Sequence, residues 1–274
     1  MAYLATIAAF GFPDIPQPQT LALFAQLGCR RCQFYRNENQ PPTTDQALAL
    51  ARDAGLTFDS IHGLFGVKYD PSSPDESKRR IAVETYQRES ELALALGADM
   101  VVVHPAAPWD DKDGVLDESQ RAARIAPLHR SLEALAHTGE RTGVTFLIEN
   151  IPATYAIGHD PAALADILRQ FNHPRIRMCF DTGHAHMTAN VPQALHDCAD
   201  MLAYLHVHDN DATVDDHRIP GDGTIDWPAV GRQLAQMRPD LPAMLELFQD
   251  QATFRRHMAK GLRDNLHRWL AIHV

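Results

Sequence analysis

Cysteine is scarce in this chain of 274 residues, with four at positions 29, 32, 179 and 198. Cys29-Arg30-Arg31-Cys32 is a lone C-x-x-C, without the second pair that a zinc ribbon requires. Read as strand, its odd spacing points the two thiols to opposite faces. Reduced, buried thiols of a cytoplasmic protein are the expectation, and a chain this long buries roughly three quarters of its unfolded surface without disulfides. Aromatics are few, at 7%. No basic run exceeds Lys78-Arg79-Arg80, which reads as the solvated start of a helix, and the formal charge is −10. The basic stripe of an electrostatic nucleic-acid binder is therefore missing. No apolar run is long enough to span a bilayer, and residues 1–10 lack the preceding Lys or Arg of a secretory leader, so they read as a first core strand. Ala9-Phe10-Gly11-Phe12-Pro13 is not the glycine-rich phosphate turn that opens a dinucleotide-binding sheet. Neither a Ser/Gly linker nor an internal repeat divides residues 1–274, which read as one domain.

What the chain does have is apolar content too high for disorder, 45%, and 15 histidines, as many as glycines. Histidine at that density points to metal or proton chemistry. The apolar residues form eight short runs, at 3–9, 29–35, 56–62, 99–104, 144–149, 176–181, 203–208 and 243–248, several nearly continuous, as buried parallel strands are. Between them lie amphipathic stretches predicted as helices at 19–27, 46–54, 75–96, 118–142, from 161 onward, 192–200, 227–237 and 251–272. Gly28, Gly55, Gly97 and Gly143 stand where C-caps belong, and Asp160-Pro161 is an N-cap followed by proline. Eight strand–helix units predict an α/β fold, a single (β/α)8 TIM barrel with its active site at the C-terminal ends of the strands.

Those strand ends carry the chemistry. His62 closes the third strand, His104 the fourth, Glu149 the fifth and Asp181 the sixth, with His184 three residues on. His206 lies near the end of the seventh, Glu246 in the eighth, and Asp215 and His217 in the loop after the seventh. Any one of these is ordinary: a lone histidine is usually a hydrogen-bonded structural residue, and a lone carboxylate usually a helix cap. Capping does not explain all of them converging on one face. Imidazole and carboxylate together suit a divalent ion such as zinc, manganese, cobalt or magnesium. His186, His208, Asp209 and Asp211 lie close enough to substitute for a ligand or to orient one.

Ile148-Glu149-Asn150, Asp181-Thr182-Gly183-His184, His206-Val207-His208-Asp209 and Gly221-Asp222-Gly223 before Asp226-Trp227, in that order, resemble the xylose isomerase-like TIM barrel superfamily. That superfamily includes sugar isomerases and 3-epimerases, inosose dehydratases and endonuclease IV. The isomerase branch implies one divalent metal on Glu149, Asp181, His206 and Glu246, with His184 and Arg218 at substrate-contacting positions. Its two glutamates, Glu149 and Glu246, would be catalytic, moving a proton on and off the carbon beside a carbonyl that the metal polarises. The endonuclease IV branch implies three zinc ions on nine ligands, matching His62, His104, Glu149, Asp181, His184, His206, Asp215, His217 and Glu246. Metal-assisted hydrolysis, or dehydration, is the alternative that this branch and the dehydratases leave open.

The rest of that face argues for a small-molecule substrate and against nucleic acid. The loop after strand four reads Trp109-Asp110-Asp111-Lys112-Asp113, and the loop after strand seven sets Asp209, Asp211, Asp215, Asp216, Asp222 and Asp226 against Arg218 alone. Phe65, Tyr69 and Trp109 suit the wall of a sugar pocket at least as well as a wedge between bases. The expectation is a cytoplasmic, metal-dependent sugar or sugar-phosphate isomerase or epimerase holding one to three divalent ions. No membrane contact is expected, and the resemblance leaves a homo-oligomer open.

Overall fold

Eight parallel strands pair in chain order and the last closes on the first, giving a single (β/α)8 barrel. The computed structural model describes residues 2–12, 19–109, 116–238 and 240–272. The strands are β1 (Leu4–Phe10), β2 (Arg31–Arg36), β3 (Thr57–His62), β4 (Met100–Val103), β5 (Thr145–Glu149), β6 (Ile176–Asp181), β7 (Leu202–Val207) and β8 (Ala243–Leu245). The helices are α1 (Gln19–Leu27), α2 (Thr44–Asp53), α3 (Glu76–Leu96), α4 (Glu118–Thr142), α5 (Pro161–Phe171), α6 (Thr182–His186), α7 (Val191–Asp197), α8 (Trp227–Met237), α9 (Gln251–Ala259) and α10 (Leu262–Trp269).

Each strand is buried on both faces, which is why the runs are apolar rather than alternating. In β1 the small Ala5 and Ala9, with Ile7, join Val102, Leu147, Cys179, Tyr204 and Met244 inside the barrel. Leu4, Ala8 and Phe10 face the helices, packing among residues such as Phe24, Phe34 and Phe254. Each large side chain so buried contributes about 1.5–3 kcal/mol.

Two ladder irregularities decide which residues reach the interior. Cys32 pairs with Phe58 and Gln33 with Ser60, so Asp59 has no partner across β2 and β3. Met178 pairs with Leu202 and Cys179 with Tyr204, so Ala203 has none across β6 and β7. One extra residue inverts the alternation beyond it. Phe58 and Ile61 therefore both face the helices although three apart, as do Leu202 and Leu205. Beyond each bulge, His62 and His206 turn inward.

Helix starts follow the expected chemistry. Thr43 and Asp117 form capping boxes with Gln46 and Gln120, and Asp160 caps α5 ahead of Pro161. Gly97 and Gly143 end α3 and α4 in the left-handed conformation, at φ 79° and 82°.

The structure corrects four local expectations. The helix predicted over 251–272 is two, because Gly261 at φ 83° breaks it between α9 and α10. The helix predicted over 192–200 ends at Asp197, and the five-residue α6 before it is too short to show a period. Cys29 precedes β2, so its spacing from Cys32 does not place the two on opposite faces; both pack in the layer between sheet and helices. Arg79 is not solvated: it is buried, pairing with Glu76 at 2.5 Å and donating to Ser131 at 3.1 Å, while Lys78 and Arg80 are exposed. All four cysteines are free and buried, and burial pushes the Cys179 and Cys198 thiols up to about 12. Among the described residues, no helix is long and apolar enough to cross a membrane.

Candidate metal centre

The C-terminal strand ends deliver the nine sequence-identified residues to one place. His62 ends β3, Glu149 ends β5, Asp181 ends β6, and His104 and Glu246 directly follow β4 and β8. His206 is the inward residue of β7 beyond the Ala203 bulge. Asp181 caps α6 by accepting from the His184 amide at 2.7 Å, which brings the His184 ring back over the barrel. Seven of the nine are buried; Asp215 and His217 are partly so.

Glu149 is the hub. Its Oε1 lies 2.7 Å from His206 Nδ1, and its Oε2 lies 3.2 Å from His104 Nε2 and 3.5 Å from His62 Nε2. His206 Nδ1 also faces Glu246 Oε2 at 3.0 Å and Asp181 Oδ2 at 4.0 Å. On the other side His184 Nε2 meets Asp215 Oδ2 at 3.1 Å, and His217 Nε2 meets Asp215 Oδ1 at 3.6 Å. Among the described residues, five overlapping donor groups result: His62, His104 and Glu149; His62, His206 and Glu246; Glu149, Cys179 and His206; Glu149, Asp181, His206 and Glu246; and His184, His208, Asp215 and His217. Within each group the donor atoms all lie within 4.8 Å of one another.

This donor set fits cations on two grounds. Glu149 Oε2, Glu246 Oε2 and Asp215 Oδ1 are buried and make no well-aligned hydrogen bond, facing only imidazole nitrogens at 3.2, 3.0 and 3.6 Å, and carboxylates crowded this way need positive charge among them. In addition, the Nδ1 atoms of His62, His184 and His217 donate to the carbonyls of Gly63, Asn150 and Glu246 at 2.9, 2.9 and 3.0 Å. Those bonds commit Nδ1 to the backbone and turn Nε2 toward the cavity, where it can ligate a cation once it has given up any proton it carries.

The electrostatics agree. Burial would raise Glu149 and Glu246, yet His206 and its neighbouring imidazoles hold both below the usual carboxylate range. Asp215, also raised by burial alone, is held low by His184 and His217. Burial pushes His104 down, leaving its imidazole neutral and ready to ligate. Burial opposes charge on His184 too, but Asp181 and Asp215 raise it to about 10; Asp215 and Glu246 likewise raise His217 to about 9.

The loop carrying Asp215 and His217 is clamped from below. The backbones of Asp209 and Arg218 exchange two hydrogen bonds of 2.8 Å. The buried Asp209 carboxylate accepts from the Gly221 amide at 2.8 Å, the Ile225 amide at 3.3 Å and Trp227 Nε1 at 2.7 Å. A Cβ on Gly223 would overlap Asp209 and the Asn210 carbonyl, and one on Gly183 would overlap the His208 ring. The Gly-Asp-Gly and Asp-Trp strings are thus structural parts of the clamp. His217 itself sits at φ 46°, a left-handed conformation that costs a non-glycine residue about 1–3 kcal/mol and recurs at functional sites. Its ring stacks on His208 at 4.0 Å.

A cavity of about 100 Å³ opens over these residues. Tyr35, Phe65, Pro152, Tyr155 and Phe248 wall it, and among the described residues no lysine or arginine lines it. Phe65 stacks over His104 at 4.6 Å and is 40% exposed, as a residue at the mouth would be. Arg218 and Trp109 are not brought to this wall. Asp211 and Asp216 hold the Arg218 guanidinium at 2.9 and 2.6 Å, and Trp109 packs against the outer layer beneath Arg124. Residues 110–113 lie outside the described residues. Tyr35, Tyr155 and Phe248 were not singled out from sequence. Phe248 stands two residues beyond Glu246, past the end of β8, and its ring lies 5.0 Å from that of His217.

Comparison with known proteins supports this architecture. The xylose isomerase-like TIM barrel family matches residues 21–272. An uncharacterized protein of Sinorhizobium fredii, y4fM, is 27% identical over 222 residues, covering 74% of this chain and 70% of its own. A D-tagatose 3-epimerase-like protein superposes with TM-score 0.77 at 18% identity, covering 96% of this chain and 97% of that one. A family 2 AP endonuclease from Brucella melitensis superposes with TM-score 0.70, also at 18% identity, covering 93% and 96%. At such identities the superpositions establish the fold and leave the chemistry to the site. With nearly its whole length matched, the chain belongs to the xylose isomerase-like TIM barrel family.

Proposed function

We propose that this protein is a divalent-metal-dependent isomerase or epimerase of a small, uncharged sugar or polyol, working by proton transfer beside a carbonyl. The observation that carries this reading is the pairing of Glu149 and Glu246: two buried carboxylates with donor atoms within 4.8 Å of each other in a cavity walled by aromatic rings and, among the described residues, without lysine or arginine. Taking a proton off one face of a carbon and delivering one to the other needs two such groups: both are held ionised, so either can begin as base, and the other takes up a proton from solvent or a neighbouring imidazolium before it donates. Glu149, Asp181, His206 and Glu246 would hold the cation, which when bound polarises the substrate carbonyl and stabilises the charge developing there. Phe65, Tyr155 and Phe248 offer apolar faces to the C–H side of a sugar, while burial keeps the Tyr155 hydroxyl protonated, at about 12, and able to donate to a substrate oxygen. The 3-epimerase name carried by a structural neighbour fits this chemistry.

An uncharged substrate follows from the charge of the face. Lys68, in the loop after β3, is paired with Glu38 at 2.7 Å, and Arg218 is held by two aspartates. Among the described residues, a phosphate group would meet carboxylates and imidazoles there rather than an available guanidinium or ammonium.

One observation favours a second reading, metal-assisted phosphoester hydrolysis: several overlapping donor groups are present among the described residues, and Glu149 belongs to three of them. Elemental analysis of chelator-free protein separates the two. About one exchangeable ion per chain, with deuterium from solvent entering a ketose or aldose at the carbon beside the carbonyl, is expected. About three zinc ions per chain with phosphoester cleavage and no such exchange overturns the proposal.

A further inference from the structure

We propose that the substrate is a glycoside, in which the sugar unit that reacts at the donor groups carries at least one further sugar ring, seated in a trough between the loops after β2 and β3. The proposal rests on the isomerase reading above and names the class of sugar acted on.

Among the described residues, three chambers share walls in a row. The cavity over the donor groups meets a second chamber, of about 210 Å³, at Tyr35, His62 and Phe65. That chamber meets a third, of about 390 Å³ and lying against α3, at Arg36, Glu38 and Leu64. The first, at about 100 Å³, falls short of the roughly 300–1,000 Å³ of a small-molecule site, and only with the second does the space reach the lower end of that range.

The second chamber has the walls that a sugar ring needs. Tyr35 stands at the junction: its ring lies 5.1 Å from that of His62 and 6.3 Å from that of Phe65, and Phe12 stacks on it at 5.3 Å. These rings offer apolar surface to the C–H face of a pyranose. Asn37 and Glu38 add polar groups. Asn37 Oδ1 accepts from the Asn39 amide at 2.9 Å, and its Nδ2 has no partner among the described residues. Glu38 Oε1 accepts from Lys68 at 2.7 Å and from the Tyr69 hydroxyl, leaving Oε2 open among the described residues. A free donor and a free acceptor beside aromatic rings suit hydroxyl groups, which serve as both.

The same lining disfavours other tails. Arg36, the cation in the second chamber, is committed to the buried Glu89 carboxylate at 2.5 and 3.0 Å, so an anionic tail finds no available partner. An aliphatic tail would gain nothing from Asn37 and Glu38. The third chamber ends at exposed Ile81 and Arg88, so the trough sets no limit on length beyond the second ring.

The test compares D-fructose with D-fructose carrying a glucosyl group on its 4- or 6-hydroxyl, all of which keep hydrogen beside the carbonyl. Deuterium uptake from solvent by the full chain, purified without chelators, gives kcat/KM. Saturation-transfer difference spectra of the Zn²⁺-loaded chain show which ring lies against the protein. Wild type is expected to favour a glucosyl-fructose by about tenfold or more, because contacts to a non-reacting part of the substrate raise kcat/KM. Protons of both rings should be saturated. Leu64 lines the second and third chambers and not the first. Leu64→Trp, which fills the second chamber, is expected to lose the preference and the glucosyl signals while fructose exchange stays within about threefold of wild type. Leu64→Ala, which enlarges the chamber, should keep both, and circular dichroism checks that each variant folds. Fructose exchange with no gain from either glucosyl group, saturation confined to the fructose unit, or a preference retained in folded Leu64→Trp overturns the proposal alone. Wild type that exchanges deuterium into none of the three sugars overturns the isomerase reading with it.

Discussion

Glu149 touches His206 at 2.7 Å through one carboxylate oxygen and turns the other, buried and without a well-aligned hydrogen bond, to His104 Nε2 at 3.2 Å. A carboxylate in that state costs stability until something positive meets it. Glu149→Gln removes the charge while keeping the shape. We expect divalent-ion content to fall, turnover to drop at least about a hundredfold, the scale of a lost general base, and far-ultraviolet circular dichroism to be unchanged. Full activity in a folded Glu149→Gln protein would sink the assignment of the site.

The two metal counts make opposite demands on His62 and Asp215, neither of which is in the four-residue group of Glu149, Asp181, His206 and Glu246, although His62 also groups with His206 and Glu246. The double variant His62→Ala, Asp215→Ala should still bind about one ion per chain and keep activity within about tenfold of wild type, since only the orientation of neighbouring groups is lost. Elemental analysis beside a sugar-exchange assay reads this directly. Loss of all activity together with two bound ions is the result that a multi-metal hydrolase requires.

Most of the barrel and its ligands could be read from sequence because chain order and a strand-end position suffice to place them. His104, Glu149 and Glu246 close apolar runs, and a closed barrel sends every such end to one face. What could not be read depends on one-residue irregularities. Nothing in Leu202-Ala203-Tyr204-Leu205 signals that Ala203 drops out of the ladder, yet that bulge turns His206 inward. Gly261 inside an otherwise periodic stretch gave too weak a signal to divide α9 from α10. The roles of Asp209 and Gly223 were hidden because their partners, Trp227 and Asn210, come together only in the folded loop.

Gly183 is held small by the ring of His208, which would overlap any Cβ placed there. His208 Nε2 in turn lies 3.0 and 3.1 Å from the two oxygens of Asp181, a member of the central donor group. Gly183→Ala should therefore cost about 1–3 kcal/mol by overpacking, seen as a drop of several degrees in Tm. It should also weaken ion binding, because His208 can no longer hold Asp181 in place. An unchanged Tm with unchanged affinity would show that the loop yields freely at this point.

Asp59 supplies a pH signature remote from the cavity. Burial raises its carboxyl from an ordinary 3.8 to about 6, with hydrogen bonds from Ser60, Tyr3 and Tyr204 offsetting only part of that cost. The unfolded chain thus ionises at Asp59 before the folded one does as pH rises. The contribution of this residue to stability is fully present below about pH 4 and is lost as pH climbs through about 6, a change of about 3 kcal/mol. Asp59→Asn removes the titration while keeping a group that can accept from the two tyrosines. Urea midpoints measured between about pH 4 and pH 7 should fall with pH more steeply for wild type than for Asp59→Asn, and the difference should saturate above pH 6. Parallel curves would mean that Asp59 ionises alike in both states, and that the network beneath Gln33 carries a charge at neutral pH without cost.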